Sequence, residues 1–269
     1  MKNILIVVLT LGFSGVGAQE TTISDVTNRL GKTRSAKAIP KGTLLTNVNY
    51  MYNTYSNSYI ELKQHSPSVR IGYGVTKRLD FRMETGYSFE NSNWANNWGY
   101  LPSSKTNTWT GFKVGSKFNL FQENRWVPQL AISIDYVLVS IGYENIFDQS
   151  DYRTGVALSL PWSYNLSKKF RLGGGFEYMY FGESYFSEVY KGSLNGRYEF
   201  LKGLGIFMEL MIPTDLDKYS LVPSAGAYYR ITKNIQVDVS FGKYIGDYGA
   251  SSYTNKNQFS GGFSWLLFN

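Results

Sequence analysis

The chain has 269 residues, no cysteine, one histidine, a formal charge of +7 and 17% aromatic residues, with 22 tyrosines. That excludes a disulfide framework, thiol chemistry and a soft-ligand metal cluster, leaving a hard cation such as Ca²⁺ as the one metal it could suit. Basic residues alternate with acidic ones instead of clustering, which argues against a nucleic-acid surface; the positive balance suits anionic head groups or a mildly anion-favouring lumen.

Residues 1–18 read as a signal peptide. Lys2 is a short positive start, residues 4–13 are an apolar run too short to span a bilayer, and Val16-Gly17-Ala18 fits a small-residue cleavage site. The mature chain then starts at Gln19 and carries +6 once Lys2 is lost. No cysteine follows for a lipid anchor, and no later run is long and apolar enough for a membrane helix. Residues 19–42 are polar, mixed in charge and aperiodic. They belong on the periplasmic side or folded up into a lumen.

From residue 43 a two-residue beat of apolar and polar side chains takes over. It predicts about twelve strands near 43–53, 67–76, 78–90, 107–120, 126–140, 151–165, 169–183, 188–201, 204–213, 219–231, 234–246 and 257–268. Short turns at 76–78, 122–125, 166–169, 202–203 and 232–234 alternate with longer connections at 53–63, 91–106, 142–150, 182–188, 214–218 and 247–257. Short periplasmic turns and long outer loops are the habit of bacterial outer-membrane barrels. The predicted fold is all-β: a single transmembrane up-and-down antiparallel barrel over 43–269, both termini periplasmic, in the outer membrane of a Gram-negative bacterium. A soluble β-sandwich does not account for a charged face opposite an apolar one in every strand.

Alternation assigns the faces. In Phe170-Arg-Leu172-Gly-Gly174-Gly-Phe176-Glu-Tyr178 the apolar set meets lipid, and Arg171 and Glu177 point inward. Leu204, Ile206, Met208, Leu210 and Ile212 form another lipid face, as do Ile235, Val237, Val239 and Phe241. The lumen-lining candidates for contact with a solute are Arg70, Asp80, Arg82, Glu84, Lys113, Lys117, Arg171, Glu177, Arg197, Glu209, Arg230 and Asp238. Asp135, Arg153, Lys191 and Glu199 share their face. Both signs are well represented. Such a set makes either a charged constriction that selects small polar or anionic solutes, or a salt-bridged interior with little passage.

The last strand presents Phe259, Gly261, Phe263, Trp265 and Leu267 outward and ends Phe268-Asn269. It resembles the C-terminal signal by which barrel-assembly machinery takes up its substrates. Thr33-Arg-Ser35-Ala-Lys-Ala-Ile39-Pro40-Lys41-Gly42 leads straight into strand one. With Ile71-Gly-Tyr-Gly74-Val-Thr-Lys77-Arg78-Leu79-Asp80-Phe81-Arg82, Gly111-Phe112-Lys113-Val-Gly115-Ser-Lys117-Phe118 and the hairpin from Tyr229 to Asp238, it resembles the meta-pathway phenol-degradation family of barrel transporters. The family's Asp-Arg-Pro start is absent, and Asp25-Val26-Thr27 is its nearest remnant. The resemblance implies transport across the outer membrane, with no settled substrate.

Other chemistry finds little support. An outer-membrane lipid hydrolase needs serine two residues after histidine, and Gln64-His65-Ser66-Pro67-Ser68 puts Pro67 there. His65 then reads as a solvated or lumen-lining imidazole at a loop–strand junction. Asp215-Leu-Asp217 is a solvated turn, and Gly173-Gly174-Gly175 a kink or a close contact in the wall. The Trp- and Asn-rich stretch 91–100 is the longest loop and suits sugar or protein contact, an inward fold, or an aromatic belt. The prediction is a monomeric barrel, neither enzyme nor cofactor protein, that passes small molecules. The alternative is a non-conducting scaffold whose outer loops bind a ligand or partner.

Overall fold

Where apolar and polar residues alternate, a strand buries neither face alone; closing the sheet gives every backbone group a partner and leaves lipid for the apolar side. The computed structural model describes residues 23–26, 35–56, 60–96, 99–100, 104–124, 127–141, 151–181, 188–215, 218–219, 221–245 and 255–268. The signal segment 1–18 lies outside them.

Twelve long strands follow in chain order: β1 (Thr43–Ser56), β2 (Ile60–Gly74), β3 (Leu79–Asn96), β4 (Ser104–Phe121), β5 (Gln129–Ile141) and β6 (Asp151–Asn165). The second half holds β7 (Phe170–Tyr180), β8 (Glu188–Leu201), β9 (Leu204–Asp215), β10 (Val222–Thr232), β11 (Ile235–Tyr244) and β12 (Asn255–Phe268). Each pairs antiparallel with its chain neighbours, and β12 pairs back on β1 from Thr43–Phe268 to Ser56–Asn255, closing the ring. Two-residue ladders at Gly99–Tyr100 and Lys218–Tyr219 extend β3 and β9. The single described helical turn, α1, is Ile23–Val26.

The outer face is the apolar one. Met208 is 68% exposed, Val239 62% and Phe81 54%, while their strand neighbours Glu209, Asp238 and Asp80 are buried. A face of this composition around a whole sheet is stable against hydrocarbon, where an arginine or lysine at mid-depth costs about 2–4 kcal/mol. One bulge changes the beat. Gly111 (φ +89°) shifts the register of β3 against β4 at Thr85/Tyr87. The inner face passes from odd residues (Lys113, Lys117) below it to even ones above, where Ser104 and Ser92 share a 2.6 Å hydroxyl bond. Thr85 Oγ1 donates to the Gly111 carbonyl at the bulge and accepts from the Trp109 indole Nε1.

Strand lengths depart from the prediction at the long-loop end. β2 starts at Ile60, so the connection expected over 53–63 shrinks to three residues. Residues 91–96 belong to β3 and 104–106 to β4. Polar rungs continue a hairpin because pairing uses the backbone alone; the apolar beat marks only the part of each strand that meets lipid. At the opposite end, β4 stops at Phe121 and β5 begins at Gln129, so that turn is longer than expected; Asn124 bonds Val127 through backbone and side chain, ahead of Pro128, which has no N–H.

The segment before β1 enters the ring at its short-turn end. Ile23 N donates to Lys233 O in the β10–β11 turn, and Ile23, Val26 and Ile39 pack with Leu45 of β1 and Leu266 of β12. Each such buried side chain contributes roughly 1.5–3 kcal/mol. Gly74 is required there, since a Cβ would overlap the carbonyl oxygens of Pro40 and Ile39. Residues 23–26 and 35–42 thus lie against buried, inward side chains of β1 and β12 and against the β10–β11 turn.

Candidate functional site

Alternation aims one side chain in two at the axis, and the register decides which of them meet. Near the short turns, Lys117 of β4 lies 3.3 Å from Asp80 of β3, both almost fully buried, with Arg82 3.8 Å from the same carboxylate. The Lys117 ammonium also donates to the carbonyls of Ser35 and Lys37, and Asn119 Nδ2 to Ala36 O. Asp80 Oδ2 accepts from Ile39 N. The wall therefore grips the backbone of residues 35–39 through four hydrogen bonds from three side chains.

On the other side of the ring, Asp25 of α1 meets Arg171 of β7 at 2.9 Å, Arg197 of β8 at 3.6 Å and Lys37 at 3.5 Å. Arg197 donates to Ser24 O and lies over the Tyr228 ring; Arg230 donates to Ser24 Oγ and pairs with Glu199 at 2.8 Å. Burial pushes the Lys37 ammonium below its ordinary value of 10.5, and Asp25 partly offsets this. These contacts make a floor across the short-turn end.

Above the floor is a cavity of about 550 Å³, lined from every strand but β6. Among the described residues its charges balance: Arg70, Lys113 and Lys191 against Glu84, Glu177 and Glu209. Arg70 holds Glu84 by Nε and Nη2 at 3.0 and 2.6 Å, and Lys113 reaches both Asp135 and Glu177 at 3.8 Å. Asn47, Asn49, Gln64, Ser68, Ser224, Ser240, Gln258 and Ser260 supply hydroxyls and amides; Met51, Met179 and Met211 supply soft apolar surface. With the signs equal, the cavity wall does not favour anions over cations.

All twelve candidates thus take the lumenal side as groups rather than as one ring. Arg70 and Glu84 form one; Lys113 and Glu177 one with Asp135; Asp80, Arg82 and Lys117 one at the floor. Arg171, Arg197 and Arg230 gather round α1. Glu209 lines the cavity, and Asp238 is buried in β11. Arg153 lies in β6 with its side chain outside the described residues, as is Asp217.

One reading changes and another narrows to one of its alternatives. His65 sits inside β2, facing outward, with Nδ1 2.5 Å from Tyr50 Oη and its ring 4.8 Å from Tyr52. It is not lumenal and does not sit at a loop–strand junction, because β2 runs further than its hydrophobicity showed. Ser66 faces the cavity on the opposite side of the strand, so the two cannot form a nucleophile–base pair. Gly174, in the run 173–175, lies under the Trp162 indole, which a Cβ would strike. The residue that sequence reasoning missed is Asp25. Its signal was indirect: the inward positions next to the short turns carry more cations than the wall supplies anions.

No family model and no curated protein matches the chain. Solved structures do. The fold is similar to the COG4313 outer membrane channel from Pseudomonas putida F1, at 14% identity and TM-score 0.64, over 86% of this chain and 98% of that one. The KdgM porin matches at 13% identity and TM-score 0.52, over 81% and 98%. The transport unit of the autotransporter AIDA-I from Escherichia coli matches at 9% and 0.52, over 99% and 96%. The class defined by fold and lumen is the closed antiparallel twelve-stranded β-barrel, and the structures it resembles are an outer membrane channel, a porin and the transport unit of an autotransporter. At these identities the likeness extends to the fold alone, and the narrower phenol-degradation family stays a resemblance of motifs.

Proposed function

We propose that this protein is a monomeric outer-membrane barrel that passes small polar molecules, exported by its signal peptide and delivered to the assembly machinery by β12. The short turns and both termini face the periplasm. The observation that carries the reading is the 550 Å³ cavity: lined by both polar and apolar groups from eleven strands and with balanced charges among the described residues. A barrel stiffened by its own salt bridges would fill this space with side chains. The similar channels support the same reading through their fold, and nothing about the solute follows from them.

A second reading rests on the floor itself. Residues 23–26 and 35–39 dock across the short-turn end, which suits a non-conducting scaffold whose outer loops bind a ligand or partner. Planar-bilayer conductance and solute flux into liposomes decide between them, with the full chain and a variant lacking residues 23–39. A channel gives flux that rises in the shortened variant. No conductance and no flux from either protein would sink the channel reading and favour the scaffold.

A further inference from the structure

Arg171 and Arg197 are direct cross-strand partners in β7 and β8. Opposed residues on one face lie about 5 Å apart, and like charges there destabilise the pair. Among the described residues no wall carboxylate comes within ion-pair distance of either: Arg171 is held by Asn165 Oδ1, and the nearby Glu199 is engaged by Arg230 and by Gly203 N. The one carboxylate between them belongs to Asp25, at 2.9 and 3.6 Å, on a segment outside the wall. All three side chains are about 85% buried, so salt screens them weakly.

We infer that the facing guanidiniums of Arg171 and Arg197 form a carboxylate site at the floor of the lumen, that Asp25 is its resident occupant, and that a small carboxylate-bearing solute arriving from the cavity takes its place and frees the N-terminal segment. Two arginines side by side offer planar donor forks suited to carboxylate oxygens. Their mutual repulsion makes the empty site costly, so the segment leaves most readily when another carboxylate replaces Asp25. The solute then opens the floor that stops it. Among the described residues the charges of the cavity above cancel, so it admits such a solute without holding it, whereas Arg171 and Arg197 set two like charges side by side at the floor.

The chain has no cysteine, so a single one reports cleanly. Ala36→Cys and, separately, Ala38→Cys place a thiol in the docked segment, where both positions are buried. Maleimide labelling of each full-length variant in detergent is timed in succinate and in chloride at equal ionic strength, with heat-modifiable gel migration confirming a folded barrel. Labelling should quicken about tenfold when succinate reaches ten times its dissociation constant, with chloride without effect. In an Asp25→Asn background, labelling should be fast from the start and indifferent to succinate; in Arg171→Gln the succinate response should be lost. Equal effects of succinate and chloride, no succinate effect in either cysteine variant, or a response that survives Arg171→Gln would each overturn the proposal. Labelling needs no flux, so a barrel shown not to conduct would still be tested.

Discussion

Lys117 and Asp80 form an ion pair at 3.3 Å with side chains 2% and 1% exposed, and each also bonds the N-terminal segment: Lys117 to the carbonyls of Ser35 and Lys37, Asp80 to Ile39 N. One buried pair thus joins wall strands β3 and β4 to the floor. Removing one partner of such a pair costs up to about 3–5 kcal/mol, and Arg82, 3.8 Å from the Asp80 carboxylate, offsets part of it. Lys117→Met should therefore loosen residues 35–39 and lower barrel stability. Faster amide exchange at 36–39 and an earlier urea transition in lipid vesicles are the readouts; the double change Lys117→Met/Asp80→Asn should recover much of the loss.

Gly74 separates docking from folding. A methyl at this position meets the carbonyl oxygens of Pro40 and Ile39, whereas at Gly192 of β8 it meets nothing within 4 Å. Gly74→Ala should expose the N-terminal segment to protease and leave the folded barrel's gel migration unchanged. Gly192→Ala should alter neither protease exposure nor migration. Equal cleavage rates in the two variants would show that the close approach at Gly74 does not hold the segment.

Neighbouring residues on β9 test the two faces. Met208→Arg puts a charge on the lipid side and should destabilise folding in bilayers by about 2–4 kcal/mol. Glu209→Gln, one residue on, faces the cavity and should leave folding nearly intact. If the protein conducts, that second variant should shift reversal potential toward anions, since it removes one of three cavity acids. A soluble barrel would reverse the Met208 result, because water tolerates arginine well.

His65 should behave as part of the wall. His65→Phe removes the bond to Tyr50 and keeps a ring against Tyr52, so a loss near 1 kcal/mol is expected in a vesicle-folding titration. Solute flux should not change, because the imidazole faces outward. A large loss of flux, or any phospholipid hydrolysis that depends on His65, would contradict this placement.

The beat in Leu204-Gly-Ile206-Phe-Met208-Glu was enough to predict a strand, its lipid face and an inward Glu209, because a period of two needs no knowledge of any neighbour. Twelve such segments, with inward charges at Arg70, Lys113, Lys117, Arg171 and Arg197, were legible in the same way. The ends of β2 and β3 were not, since the rungs at Lys63–Asn91 and Ser92–Ser104 are polar and carry no hydrophobic signal. Nor was the fate of residues 19–42, which have no period to read.

By itself, then, the sequence determined a barrel and the direction in which wall side chains point wherever the alternation is unbroken, because both follow from local alternation and the cost of charge in lipid. Only the tertiary structure decided which of those side chains meet. Register set Arg171 against Arg197 and Asp80 against Lys117, and chain closure brought Asp25, 146 and 172 positions away from the two arginines, into the space between them. Pairing across the ring depends on shear and on where a non-repetitive segment docks, and neither leaves a periodic trace along the chain.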